Sequence, residues 1–174
     1  MKGTPVLLLT VLASLAMGVA PADEPAKVGT PGKPQDAVFM TASNPVMYRA
    51  IRKARAELAG FLELAAAPRK SQQDIKVRVT LLEGNAGEYI WLTRFKQDDN
   101  GLFTGYIDGD IHMKSRYRKG DRFTFVRGDI IDWTWTDSIK GVIYGAYTDC
   151  ALATLAPADE AAKFRKAHKL NCVF

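Results

Sequence analysis

The chain has 174 residues, with 24 Lys and Arg, 19 Asp and Glu, two His and two Cys. Its formal net charge is +5 and 47% of it is apolar. These figures exclude a disordered or collagen-like chain, but the densest apolar stretch, Val6 to Ala20, sits at the very start and distorts them.

That stretch has the form of an export signal. Lys2 supplies a positive start, Val6 through Met17 an uncharged apolar run, and Ala20-Pro21-Ala22 small residues before Asp23. This tripartite order predicts a signal peptide over 1–22, with cleavage before Asp23. Gly3, Pro5, Gly18 and Pro21 break the ends of the run. The solid apolar part is therefore shorter than the roughly 20 residues a spanning helix needs. Cleavage leaves 152 residues and a side-chain charge of +4, enough for one domain with a sizeable core. So mild a charge, with both signs mixed, points to no nucleic-acid partner.

Residues 23–37 carry Pro25, Gly29, Pro31, Gly32 and Pro34 and read as a flexible leader. A single domain is expected over 38–174. Asn44 and Pro45 form a helix start. Met47, Ile51, Ala54, Leu58, Phe61, Leu62 and Ala65 then recur at three- and four-residue steps, and Pro68 ends the helix. The basic run from Arg49 to Arg55 is the solvated face of that helix.

From Asp74 the period becomes two. Ile75, Val77, Val79 and Leu81 alternate with Lys76, Arg78 and Thr80. After a turn at 83–87, Tyr89, Trp91, Thr93 and Phe95 alternate with Ile90, Leu92 and Arg94. A turn at 97–101 precedes a strand from Leu102 to Ile107. Connections this short make the three strands antiparallel. Further strands are expected around Phe123 and Phe125, Ile130 to Trp135, and Val142 to Tyr147, with a hairpin loop at 137–141. Thr148 or Asp149 is placed to cap a short helix containing Cys150. A last helix is expected from Pro157 through Leu170, acidic at its start and basic at its end. The fold class is α+β: an N-terminal amphipathic helix packed on an antiparallel meander of five or six strands, with a C-terminal helix.

Cys150 and Cys172 are the only cysteines. In an exported chain they read as a disulfide, ahead of a metal pair or two buried thiols. No zinc-type ligand spacing, phosphate loop, dinucleotide fingerprint or nucleophile elbow occurs, so no cofactor, metal or catalytic residue is assigned. Trp133 and Trp135 share one strand face, expected to lie under a helix, while Asp132 points to the other. Asp132, if buried, needs donors such as Thr148 or a backbone amide.

Several of these segments occur together in a known order. The helix with Ala54, Leu58 and Phe61 is followed by Glu88-Tyr89-Ile90-Trp91, by Gly105 before Ile107, and by Lys119-Gly120-Asp121. Ile130-Ile131-Asp132-Trp133 and Gly145-Ala146-Tyr147-Thr148 before Cys150 complete the series. Over about residues 38–174 this resembles the YegJ-like family, a bacterial domain of unknown function. The resemblance implies a fold and, since some members carry a signal peptide, a compartment. It transfers no catalytic residue.

The functional expectation is a periplasmic or secreted, non-enzymatic binding protein with a protein partner in the periplasm, such as an inhibitor or immunity-type partner. Its candidate binding residues are Glu88, Trp91, Asp132, Trp133, Tyr147 and Thr148. One alternative is a hydrolase acting on the cell envelope, using carboxylates among Glu88, Asp132 and Asp149 with His112. Another is an anionic-surface binder using Lys114, Arg116, Arg118, Lys119 and Arg122.

Overall fold

The first helix is set by its cap. The Asn44 side chain accepts from the backbone N–H of Val46 at 2.9 Å and of Met47 at 3.4 Å, and Pro45 takes the first helical position. In this computed structural model, which describes residues 44–172, helix α1 runs Pro45–Ala66. The predicted signal peptide, leader and first residues of the domain lie outside the described residues. Met47, Ala50, Ile51, Ala54, Leu58 and Phe61 form the buried stripe of α1. Leu62 and Ala65 pack partly against it. The basic face is mostly exposed. Arg55 nevertheless reaches across to donate to the carbonyls of Ile130 at 3.2 Å and Gly128 at 3.1 Å.

Six strands follow: β1 (Gln72–Glu83), β2 (Ala86–Gln97), β3 (Phe103–Ile107), β4 (Arg122–Phe125), β5 (Ile130–Asp137) and β6 (Val142–Gly145). They form one antiparallel sheet in the order β4-β3-β2-β1-β5-β6. The α+β architecture expected from periodicity is the one observed. The meander β1 to β4 is continuous. The chain then passes through a 3-10 turn at Arg127–Asp129 and returns to lie beside β1, so β1 is a central strand.

Alternation along β1 divides its side chains between two faces. Val77, Val79 and Leu81 turn toward α1 and are almost wholly buried. Val77 pairs with Leu92 on one side and Trp133 on the other, so all three share that face. Trp133 stacks on Phe61 with ring centroids 4.8 Å apart and donates its indole N–H to the Ala54 carbonyl at 2.9 Å. This is the helix-covered tryptophan face expected from sequence. Trp135 stacks on Tyr144 across the β5–β6 pair.

One face assignment in β2 needs correction. Simple alternation puts Phe95 with Trp91 and Thr93. Instead Arg94 adopts φ +50° in a bulge, and the register with β3 slips between Thr93 and Lys96. The extra residue turns Phe95 to the α1 side, 6.2 Å from the Phe61 ring.

Two short helices close the chain, α2 (Tyr147–Ala153) and α3 (Ala158–Ala167). Neither Thr148 nor Asp149 caps α2. Ala146, held at φ +50°, precedes the helix, and Thr148 lies inside it with its hydroxyl committed elsewhere. Helix α3 is shorter than expected and stops before Leu170. Leu170 forms a parallel bridge with Ile143 instead, covering the β6 edge of the sheet. Cys150 of α2 and Cys172 form a disulfide with Cα atoms 5.6 Å apart. Among the described residues, no helix is long and apolar enough to cross a membrane.

Candidate functional site

The face of the sheet turned away from α1 carries Lys76, Arg78 and Thr80 of β1, and Tyr89, Trp91 and Thr93 of β2. Tyr106, which pairs with Thr93, and Asp132, which pairs with Arg78, extend it to both sides. The helices are engaged elsewhere: α1 on the Trp133 face, α2 beside α1 and β5, and α3 against α2. Tyr89, Trp91 and Tyr106 therefore remain half-buried, neither core nor freely exposed. Cations sit among them. Arg78 lies 5.0 Å from the Trp91 ring and 6.0 Å from the Tyr89 ring, and Arg94 lies 4.4 Å from the Tyr106 ring. Lys76 pairs with Asp108 at 2.7 Å.

At the β5 side of this face lies a buried polar network. Asp132 is 0% exposed. Its Oδ1 accepts from the Trp133 backbone N–H at 2.8 Å, and its Oδ2 from the Thr148 N–H at 2.7 Å and hydroxyl at 2.5 Å. Arg78 in turn donates to the Thr148 hydroxyl at 2.9 Å and to Asp149 at 2.6 Å. Burial pushes the Asp132 carboxyl up to about 6, with the charge of Asp149 adding to the rise against the hydrogen bonds of Thr148 and Trp133. The network joins β1, β5 and α2 with a donor or acceptor from each.

Glu88 forms a second, separate cluster. It is buried on the α1 side, opposite Leu81. Its Oε2 accepts from the backbone N–H groups of His112 at 2.9 Å and Met113 at 3.0 Å, and its Oε1 meets His112 Nδ1 at 2.9 Å. Burial raises the Glu88 carboxyl, but the bonds from Met113 and His112 outweigh it and hold the group below its ordinary value. Glu88 thus ties the 108–121 loop to β2.

The three hydrolase carboxylates are therefore not gathered in one place: Glu88 stands apart from Asp132 and Asp149. Glu88 pairs with a β1 position three residues, about 10 Å, along the strand from the one that pairs with Asp132, and the two acids lie on strands on opposite sides of β1. Glu88 also points to the opposite face. Asp132 and Asp149 are near neighbours, yet Asp132 has no exposed surface from which to reach a substrate.

Of the six candidate binding residues, Trp91 alone reaches the surface appreciably. Trp133 and Tyr147 are core, meeting edge to face at 5.6 Å, and Tyr147 donates its hydroxyl to Glu57 of α1. Burial and then Glu57 raise the Tyr147 hydroxyl well above its usual range. Thr148 and Asp132 are buried within their own network. By contrast Lys114, Arg116, Arg118, Lys119 and Arg122 are all exposed. Sequence reasoning missed Arg78, Arg94 and Tyr106. Arg78 was visible as a polar residue alternating with valines, but its partners come from two other strands and a helix. Among the described residues, no group of three or more His, Cys, Asp or Glu is arranged to hold a metal ion.

A six-stranded antiparallel sheet with one helix on its Trp133 face and a buried Asp-Thr-Arg network defines the class of protein. The chain belongs to the bacterial family described as "Uncharacterized protein conserved in bacteria (DUF2314)", which matches residues 44–172. It is similar to "Uncharacterized protein YegJ" of Escherichia coli (strain K12), with 31% identity over 119 residues, covering 68% of this chain and 74% of that protein. No solved structure matches.

Proposed function

We propose that this is an exported binding protein whose aromatic and cationic sheet face takes an acidic protein partner in the periplasm, as an inhibitor or immunity-type protein does. The observation that carries the reading is the half-buried set Tyr89, Trp91 and Tyr106 interleaved with Arg78 and Arg94. Aromatics and arginines are the side chains that dominate protein interfaces. The Val6–Ala20 apolar run and the Cys150–Cys172 disulfide support export.

The experiment is capture from a periplasmic extract with three baits: the mature protein, a Trp91→Ala/Arg94→Ala variant, and a Lys114→Glu/Arg118→Glu variant. The reading expects one partner held by the first and third baits and lost by the second. Equal capture by all three, or none by the first, overturns it. Loss on the third bait alone, together with binding to anionic vesicles, transfers the function to the exposed basic loop. N-terminal sequencing of the periplasmic protein is expected to begin at Asp23. Retention of the full chain in the cytoplasm overturns export.

A further inference from the structure

A cleft of 430 Å³ lies away from the aromatic face, between the C-terminal turn of α3 and the β5–β6 hairpin. Arg165, Lys166 and Lys169 line it, with Gly141 and Val142 on one side and Leu170, Asn171 and Cys172 on the other. Among the described residues, no carboxylate lines it. Among the described residues, none of its three cations is in an ion pair. The neighbouring Asp137 is occupied within its own hairpin, accepting from the Ile139 and Lys140 backbone N–H groups and pairing with Lys140.

Cations at a helix C-terminus ordinarily serve the helix, by offsetting its dipole and bonding its last carbonyls. Here the backbone performs that second task. His168 N–H bonds the Phe164 carbonyl, Lys169 N–H that of Lys166, and Leu170 N–H that of Arg165. The side chains are released from capping. A further oddity sits at Lys169, which adopts φ +54° at the position after the helix where glycine is the usual residue. A lysine held there at a conformational cost is the kind of outlier that marks a functional position.

We infer that this cleft is an anion site for a phosphate-bearing ligand, held by Arg165, Lys166 and Lys169. Its far wall is fixed by the Ile143–Leu170 bridge, by Ile143 N–H bonding the Lys169 carbonyl at 2.9 Å, and by the Cys150–Cys172 disulfide. The disulfide adds a covalent tie to a wall that backbone bonds already hold.

The decisive variant is Lys169→Gly, which removes a cation while placing glycine where the backbone favours it. The mature, disulfide-bonded protein is titrated with pyrophosphate at constant ionic strength. Binding is read from amide shifts at Val142, Leu170 and Asn171. Phosphatidic acid vesicles, with phosphatidylcholine vesicles as control, distinguish a lipid headgroup from a soluble phosphate. The expected result is saturable binding to pyrophosphate, the vesicles or both, weakened about tenfold or more by Lys169→Gly and by Arg165→Ala. The Tm of Lys169→Gly is expected to be unchanged or raised, and reduction of the disulfide to weaken binding. Absence of saturable shifts with both probes, or equal affinity in Lys169→Gly, overturns the inference.

Discussion

The hydroxyl of Thr148 donates to the carboxylate of Asp132 at 2.5 Å, inside the protein, where neither residue has any exposed surface. The same hydroxyl accepts from Arg78 at 2.9 Å. One oxygen thus connects a cation on β1 with an acid on β5, and a helix supplies it. Removing it leaves polar groups buried and unmatched, which costs more than the bond itself contributes.

Thr148→Val keeps the shape of the side chain and deletes the oxygen. It is expected to cost about 2–3 kcal/mol. Thr148→Ser keeps the oxygen and loses one methyl, at about 1 kcal/mol. Urea unfolding of both variants measures the gap, and equal losses would show that packing, not the hydroxyl, sets the stability here.

Asp132 also imposes a pH dependence of known sign. Its carboxyl is raised from an ordinary 3.8 to about 6, chiefly by burial. The native state therefore holds a proton over an interval in which the unfolded chain has lost it. The resulting stability is full below the unfolded value and is lost as pH rises through 6, by about 3 kcal/mol in all. Glu57 and Glu88 act in the opposite sense. Burial raises each, but hydrogen bonds hold both below the ordinary 4.5. Their contribution is present above 4.5 and lost as pH falls. Comparing wild type with Asp132→Asn isolates the first effect: the wild type's advantage is expected to shrink between pH 4 and 7. A difference that does not change with pH would refute it.

What was legible in the sequence was local. The cap at Asn44, the apolar stripe of α1 and the alternation of β1 each depend on residues close together in the chain. The return of β5 to β1 is not local, because the pairing of Asp132 with Arg78 spans more than fifty residues and no turn signal encodes it. Period-two alternation separates Trp91 from Leu92 but does not say which face a helix will cover. The helix over Trp133 follows from two tryptophans on one face, but Trp133 also stands, with Tyr147 and Thr148, among the binding candidates, and all three are interior. The Arg94 bulge was invisible for a related reason. A non-glycine residue at positive φ carries no mark in the sequence, and it reverses the facing of Phe95.

Gly145 predicts a large effect from one added carbon. Its φ is +77°, and a Cβ there would stand 2.2 Å from the Trp133 carbonyl oxygen and 2.6 Å from the indole ring. The chain must pass this close because Ala146 N–H bonds that same carbonyl at 2.8 Å before α2 begins. Gly145→Ala is expected to cost about 3 kcal/mol or more. Near-ultraviolet circular dichroism should show the Trp133 environment disturbed, and a native spectrum with unchanged Tm would contradict the close packing.

The disulfide closes 22 residues of sequence around α3. A loop of that size corresponds to about 3 kcal/mol of unfolded-state entropy. Cys150→Ser with Cys172→Ser is expected to lower stability by that order. The earliest loss of hydrogen-exchange protection should fall in α3 and at the Ile143–Leu170 bridge. Protection should persist in β1 and β2, which do not depend on the crosslink.

Glu88 controls the loop that carries the exposed basic residues. One carboxylate takes two backbone N–H groups and a histidine ring from His112 and Met113. Glu88→Gln replaces one acceptor oxygen with a donor and leaves one of these partners unmatched, at a cost of about 2 kcal/mol. Because Ile111, Met113 and Tyr117 pack on the core from the same loop, the loss should open residues 108–121 together. Hydrogen-exchange mass spectrometry is expected to show faster exchange there, with α1 and β1 unchanged. Acidification below 4.5 should reproduce that opening in the wild type as Glu88 takes up its proton, whereas Glu88→Gln should respond little over the same range. Equal acid responses in the two proteins would mean that another carboxylate holds the loop.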